Sequence, residues 1–446
     1  MFFIKFITLV FIGNNFYFNS VEIVTLTYNL RFAGFEEEWN SYFLEDVIKS
    51  FVNGQTPSRN VDSYWNGEIP WVSSGELNYN HITSTIEQIT EEGKGKANLK
   101  LLPAGTFLMA ITGLEAAGTR GSCAILDIEA TTNQSCMALF PKEDKLTTKF
   151  LYYWYLKVGE HYGIKYTQGT KQQSYNKELL EKLPIVIPDN LKEQDKITDC
   201  LSLLHFKIEL LEKKYKSYVD FKKYLMQQIF AQKLRFNFSD EWKIVKLESL
   251  IKKGKAGGTP SSTNSDYYNG DIPFLSIRDM TEQGKYILKT EKTITEEGLN
   301  NSSAWIIPKN SLLYSIYASI GLVAINRSDI STSQAIYGII LKEGVSLEYM
   351  YYYLTYFKKN IHKYIETGTQ GNLNAKLLKS FEILLPSLEE QEMIVNVLSI
   401  VDEKIENSKK EIEKINEFKK GLLQQMFNNV RLVVINLIIN EYICPL

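Results

Sequence analysis

The stretch GQTPSRNVDSYWNGEIPWVSSGEL, residues 54–77, returns at residues 257–280 as GGTPSSTNSDYYNGDIPFLSIRDM. Thr-Pro-Ser, a Tyr, Asn-Gly, an acid, Ile-Pro, an aromatic and a Ser all recur at one offset, 203. Coincidence is a poor explanation for a shared skeleton of that length. Working outward, LRFAGFEEEW from Leu30 matches LRFNFSDEW from Leu234, and ITEEGK from Ile89 matches ITEEGL from Ile294. GTKQQSYNKELL from Gly169 pairs loosely with GTQGNLNAKLL from Gly368. NLKEQDKITDCLSLL from Asn190 pairs with SLEEQEMIVNVLSIV from Ser387, and FKKYLMQQIF from Phe221 with FKKGLLQQMF from Phe418. The chain is two copies, in the same order, of one unit of about 200 residues.

The offset wanders through the first part of each unit, so insertions and deletions have accumulated there. Across residues 191–230 against 388–427 it is fixed at 197, with 17 of 40 positions identical. These fixed-length segments contain no Pro and read as helices. Ile197, Leu201, Leu204, Ile208, Leu211, Tyr215 and Tyr218 follow alternating steps of four and three, the spacing of a coiled-coil seam. Ile394, Leu398, Val401, Ile405, Ser408, Ile412 and Ile415 occupy the same register. Both then shift phase, to Phe221 and Leu225 and to Phe418 and Leu422. A seam about 60 Å long at 1.5 Å per residue needs a partner. The expectation is that the two helices pack on each other, antiparallel by pseudo-twofold pairing, with the globular parts at opposite ends.

The globular parts read as strand-rich modules. Residues 105–112 and 311–317, bounded by Pro or Gly, look like buried strands, as do 124–126 and 322–325. Residues 147–158 and 346–358 carry Tyr, Phe and Leu at helical spacing. A short strand ending at Pro188 or Pro386 precedes each long helix. Asn190 and Ser387 stand as N-caps, with Glu193 and Glu390 placed to complete a capping box.

The remaining numbers mostly exclude. At 446 residues, 44% hydrophobic and 23% charged, the chain is an ordinary globular protein. A net charge of −2 gives no global field for a polyanion. Cys123, Cys136, Cys200 and Cys444 form no CxxC, and the four His show no metal or triad spacing, so reduced thiols and no zinc site are expected. No P-loop, GxGxxG or Asn-Pro-Pro-aromatic element occurs, which points to a reader or scaffold without catalysis of its own. The apolar runs at residues 1–13 and 430–439 are too short to span a bilayer and read as extensions of a cytoplasmic protein.

Taken together, the LRFxGFxxxW opening, the TPS…IPW element, the GTxQ turn and the EQxxI…FKKxLxQQxF helix resemble the DNA specificity (S) subunit of type I restriction-modification enzymes, over about residues 28–428. The resemblance implies an α+β chain: two mixed α/β target recognition domains, joined and spaced by two long antiparallel coiled-coil helices. Each domain would read one half of a split target in double-stranded DNA. It further implies two methyltransferase (M) subunits and restriction endonuclease-translocase (R) subunits as partners. S-adenosylmethionine, ATP and Mg would belong to those partners, none to this chain. The divisions expected are an extension at 1–29, recognition domains at 30–189 and 234–386, spacer helices at 190–233 and 387–428, and an extension at 429–446.

Fixed helix length beside divergent domains suits a ruler, because half-site spacing on DNA is geometric. The polar turns TQGTKQQS (167–174) and TGTQGNLN (367–374) suit backbone approach to phosphate and amide reading of adenine. They make Lys171, Gln172, Gln173, Gln370, Asn372 and nearby Lys376 DNA-binding candidates, although a structural loop reads equally well. Half-site discrimination should lie where the copies differ: Arg120, in the insert at 113–121, and Arg278, read as standing in place of Glu76. Residues 42–188 carry 14 basic against 16 acidic side chains and residues 242–386 carry 17 against 13. So weak a balance implies that partner subunits supply much of the phosphate clamp. The competing reading is a two-headed coiled-coil scaffold or glycan-binding surface protein.

Overall fold

The protein is described from a computed structural model, covering residues 29–114, 119–167, 173–317, 319–363, 373–427 and 432–434. It divides into two units, one comprising residues up to 211 together with those from 411 onward, the other residues 212–410. Each unit therefore takes one half of each long helix.

In the first unit a five-stranded sheet has the order Ile48–Asn53, Cys136–Pro141, Phe107–Ala110, Cys123–Leu126, Asn80–Ile82. The two strands expected from the apolar runs are its centre, and every residue of Phe107–Ala110 and Cys123–Leu126 is buried. The strand Trp65–Val72 lies between Glu87–Ile89 and Thr131–Thr132 in a three-stranded sheet. The Asn-Gly pair makes this possible: Asn66 is left-handed at φ 60°, and a Cβ on Gly67 would fall 2.4 Å from the Ile89 carbonyl. The ladder correspondingly skips, pairing both Trp65 and Ile69 with Ile89. Helix α1, Thr148–Lys165, packs Phe150, Tyr152 and Tyr155 into the same core. It runs past the expected end at 158, and residues 120–121 lie close against it at Gly159 and Gly163. The strand Pro184–Ile187 pairs with Asn40–Phe43 and leads into helix α2, Leu191–Phe230.

The second unit repeats this plan strand for strand. Its five-stranded sheet runs Ile251–Ala256, Ile336–Leu341, Leu312–Ser315, Val323–Asn326, Tyr286–Ile287. Asn269 reproduces the left-handed turn at φ 61°. Helix α3, Leu347–Phe357, covers the sheet, and Glu382–Leu385 pairs with Lys243–Lys246 before helix α4, Leu388–Met426.

The helices pair within each unit. In the first, Ile197, Leu201, Leu204, Ile208 and Leu211 of α2 share one buried cluster with Ile415, Leu422 and Met426 of α4, and with the sheet's own core. In the second, Leu225, Met226, Ile229 and Phe230 cluster with Ile394, Leu398 and Val401, with Ile405 packed at the edge. The Lys404 ammonium lies 5.9 Å from the Tyr218 ring centre and Lys222 contacts Asp402, so partner numbers fall as α2 rises and the pairing is antiparallel. The expected phase shift is corrected at one position. Leu225 and Leu422 are buried, but Phe221 is 50% exposed, because the apolar face of α2 beyond Leu225 turns toward Tyr349, Tyr353 and Trp242.

At the ends, Asn29–Arg31 pairs in parallel with Leu432–Val434, so part of the C-terminal apolar run is a strand. The run at 1–13 lies outside the described residues, as does Cys444. Cys123, Cys136 and Cys200 are free and buried. Among the described residues no helix is long and apolar enough to cross a membrane, and no group of three His, Cys, Asp or Glu could hold a metal ion.

Candidate nucleic-acid interface

The repeat's opening motif meets its helix motif in a buried clasp. Glu193 was expected to complete a capping box; its carboxylate instead accepts from Arg31 Nε (2.6 Å), Arg31 Nη2 (2.8 Å) and Trp39 Nε1 (3.1 Å). Glu390 accepts from Arg235 (3.1 and 2.8 Å) and Trp242 Nε1 (3.0 Å). Both carboxylates are 1% exposed, so arginine and indole outcompete the helix's own amide. The N-cap function remains with Asn190 and Ser387 alone, which accept from Lys192 N and Glu390 N. The next residue does parallel work. Gln194 accepts from Thr147 N at the head of α1 and donates to Lys145 O and Pro188 O. Gln391 accepts from Ser346 N and donates to Pro386 O. The shared signature thus fastens each globular part to its long helix.

Divergent residues gather elsewhere. The antiparallel registers place the end of Phe107–Ala110 and the starts of Cys123–Leu126 and Cys136–Pro141 at one end of the sheet. There Ile111 N donates to Ser135 O, Tyr175 N to Ile111 O and Leu114 N to Gln173 O, bringing the polar turn beside the insert. Tyr79 Oη donates to Arg120 O at 2.8 Å, and Arg120 lays its stem on Gly163. Arg120 and half-buried Gln173 therefore lie at one end of the first sheet. In the second unit Ile316 N donates to Ala335 O and Leu373 N to Ile316 O, so the corresponding turn has the same anchor. Lys376 is exposed on the short helix Ala375–Lys379 that follows. Lys171, Gln172, Gln370 and Asn372 lie outside the described residues.

Arg278 does not stand in place of Glu76. Glu76 caps Ser73 and accepts from Ile86 N, and Asp279 does the same for Ser276 and Glu291 N, so Asp279 is its counterpart. Arg278, 70% exposed, is held by Glu282 at 2.8 Å and Glu291 at 3.7 Å. The Glu282 hydrogen bond, then the nearby carboxylates, raise its pKa further.

One cluster, on the three-stranded sheet of the first unit, was not anticipated. The Arg59 guanidinium lies 3.8 Å from the centre of the Trp65 ring and pairs with both oxygens of Glu87. The Arg59 hydrogen bond holds the Glu87 carboxyl below its usual range. Trp65 is pinned by Nε1 donating to Ser58 O (3.1 Å), and Trp71 meets it edge-on at 5.2 Å. Comparing the copies at every basic residue would have found Arg59, since Ser262 follows the second Thr-Pro-Ser.

The type I restriction modification DNA specificity domain model matches twice, over residues 36–217 and 239–417, more than half of the chain. The chain belongs to the type I restriction modification DNA specificity family. Among curated family members, the MjaIX specificity subunit of Methanocaldococcus jannaschii is 35% identical over 194 residues, which is 42% of this chain and 43% of that protein. Against that relative the match thus spans less than half its length. The MjaVIII specificity subunit of the same organism is 24% identical over 411 residues, covering 87% of this chain and 91% of the relative. The crystal structure of a type I restriction-modification S subunit from M. genitalium superposes with a TM-score of 0.56 at 16% identity, over 88% of this chain and 97% of that one, a likeness of fold. Each matched domain contains the Trp and Glu of one clasp, and the clasp arginine, Arg31 or Arg235, lies just ahead of it.

Proposed function

We propose that the chain is the DNA specificity subunit of a type I restriction-modification complex, each globular domain reading one half of a bipartite target. The observation that carries this is the duplication of the family domain, with identical clasps and divergent loops. Invariant architecture beside variable loop ends is what two different half-site readers on one scaffold require. The continuous helices α2 and α4 would set the spacing between half-sites. Methylation and cleavage would be the work of partner M and R subunits, which bind S-adenosylmethionine, ATP and Mg, leaving recognition to this chain in the cytoplasm. The small net charge fits a subunit that grips DNA only once those partners contribute cationic surface.

The test is co-expression with an M subunit, purification of the complex and genome-wide mapping of methylated adenines. The expected result is a single motif of two half-sites separated by a fixed gap. An intact complex that methylates no split motif sinks the assignment.

A further inference from the structure

The Arg59 cluster belongs to the first domain alone. The ladders pair Trp71 with Glu87 and Phe274 with Lys292, so Lys292 occupies the place of Glu87. Ser262 occupies the place of Arg59, and Tyr268, whose hydroxyl donates to Pro260 O at 2.7 Å, that of Trp65. A lysine and a serine cannot rebuild a stacked, carboxylate-held guanidinium. Beside it lies a cavity of about 460 Å³ lined by Arg59, Asp62, Trp65, Asn66, Glu87 and Gln88, with Ile86 at its rim.

The cluster is prepared to bind. Arginine has five N–H donors, of which the Glu87 carboxylate engages one on each terminal nitrogen, so a second fork of the guanidinium stays open. The side chain is 52% exposed although stacked on Trp65. A guanidinium already fixed in orientation loses little freedom when it meets a ligand. The segment that carries it is tied to the assembled loops: Thr56, three residues earlier, bonds Gln134 at 2.5 Å, next in sequence to Ser135, which accepts from Ile111 N. Two acceptors side by side on a rigid edge complement the open fork, and in duplex DNA the major-groove edge of guanine offers them as O6 and N7.

We infer that Arg59 is a specificity-determining residue of the first domain, reading a guanine in its half-site, with Glu87 and Trp65 as positioning residues. This rests on the DNA-specificity reading above. The test compares full-length chains carrying Arg59→Ser or Arg59→Lys, each in complex with its M subunit, by methylated-motif mapping and by affinity for cognate and substituted duplexes over a range of salt. In both variants one guanine position in one half of the motif becomes degenerate, the other half is unchanged, and affinity for the cognate duplex falls about 10- to 100-fold. The unchanged half is an internal control for folding, and Arg59→Lys decides if Arg59→Ser fails to assemble. A motif left intact in the variants overturns this inference alone. So does equal weakening on all duplexes with a shallower salt dependence, the mark of a phosphate contact. A wild-type complex without a split motif overturns the underlying reading instead.

Discussion

Counterpart residues of the long helices carry the same physics at one position and different physics at another. Glu193 is buried with Arg31 and Trp39 as its partners. Replacing it with Gln leaves Arg31, 11% exposed, without a counter-charge. Breaking a buried pair in this way costs about 3 kcal/mol. Chemical denaturation of Glu193→Gln should show that loss, and a change below about 1 kcal/mol would mean the clasp is incidental. His205 and Asp402 are counterparts in the two copies. Asp402 meets Lys222 at 2.5 Å, whereas His205 accepts from Lys419 at 3.0 Å through a neutral Nδ1. Burial, then Lys419, pushes the His205 imidazole below its ordinary range, with Glu209 opposing and neighbouring His81 adding to the fall. The fold therefore favours neutral His205: its contribution is complete above the ordinary value of about 6.5 and is lost as pH falls through the depressed folded value. Thermal midpoints measured from pH 7.5 to 5 should drop, and His205→Asp should flatten that drop. An equal slope in the variant would assign the acid sensitivity to another group.

Helices α2 and α4 were legible because a periodicity held over 40 residues leaves few alternatives. Of the expected seam, Ile197, Leu201, Leu204, Ile208, Ile394, Leu398 and Val401 are all buried. It failed at Phe221, where periodicity names a face but cannot say whether a helix or a domain covers it. Glu193 was misread for a related reason: a capping box is a local inference, and the competing partner Arg31 lies 162 residues away in sequence. As elements the two helices act as a ruler in the proposed function. Each added residue extends a helix by about 1.5 Å and turns it by about 100°. Inserting four residues after Leu211, where the two units divide, should alter the gap in the methylated motif while both half-sites keep their bases. Altered half-site bases would show that the helices participate in reading.

Taken as a whole, the molecule was legible where its copies agree and obscure where they differ. Shared residues such as Gly54 and Gly257 announce a structural demand, since a Cβ on either would fall 2.1 or 2.2 Å from the carbonyl of Thr132 or Thr332. Unshared residues announce only that something differs, so Arg120 and Arg278 stood out and Arg59 did not. The clasp has a consequence beyond stability. Arg31, Trp39, Glu193 and Gln194 recur as Arg235, Trp242, Glu390 and Gln391, so the border of each globular part is written twice in the same residues. A genetic crossover at those borders, between the two copies or with a related gene, delivers a foreign globular part already equipped with its anchor. On the proposed function, descendants of this chain would gain new targets by exchanging cassettes, while the scaffold that receives them would be inherited unchanged.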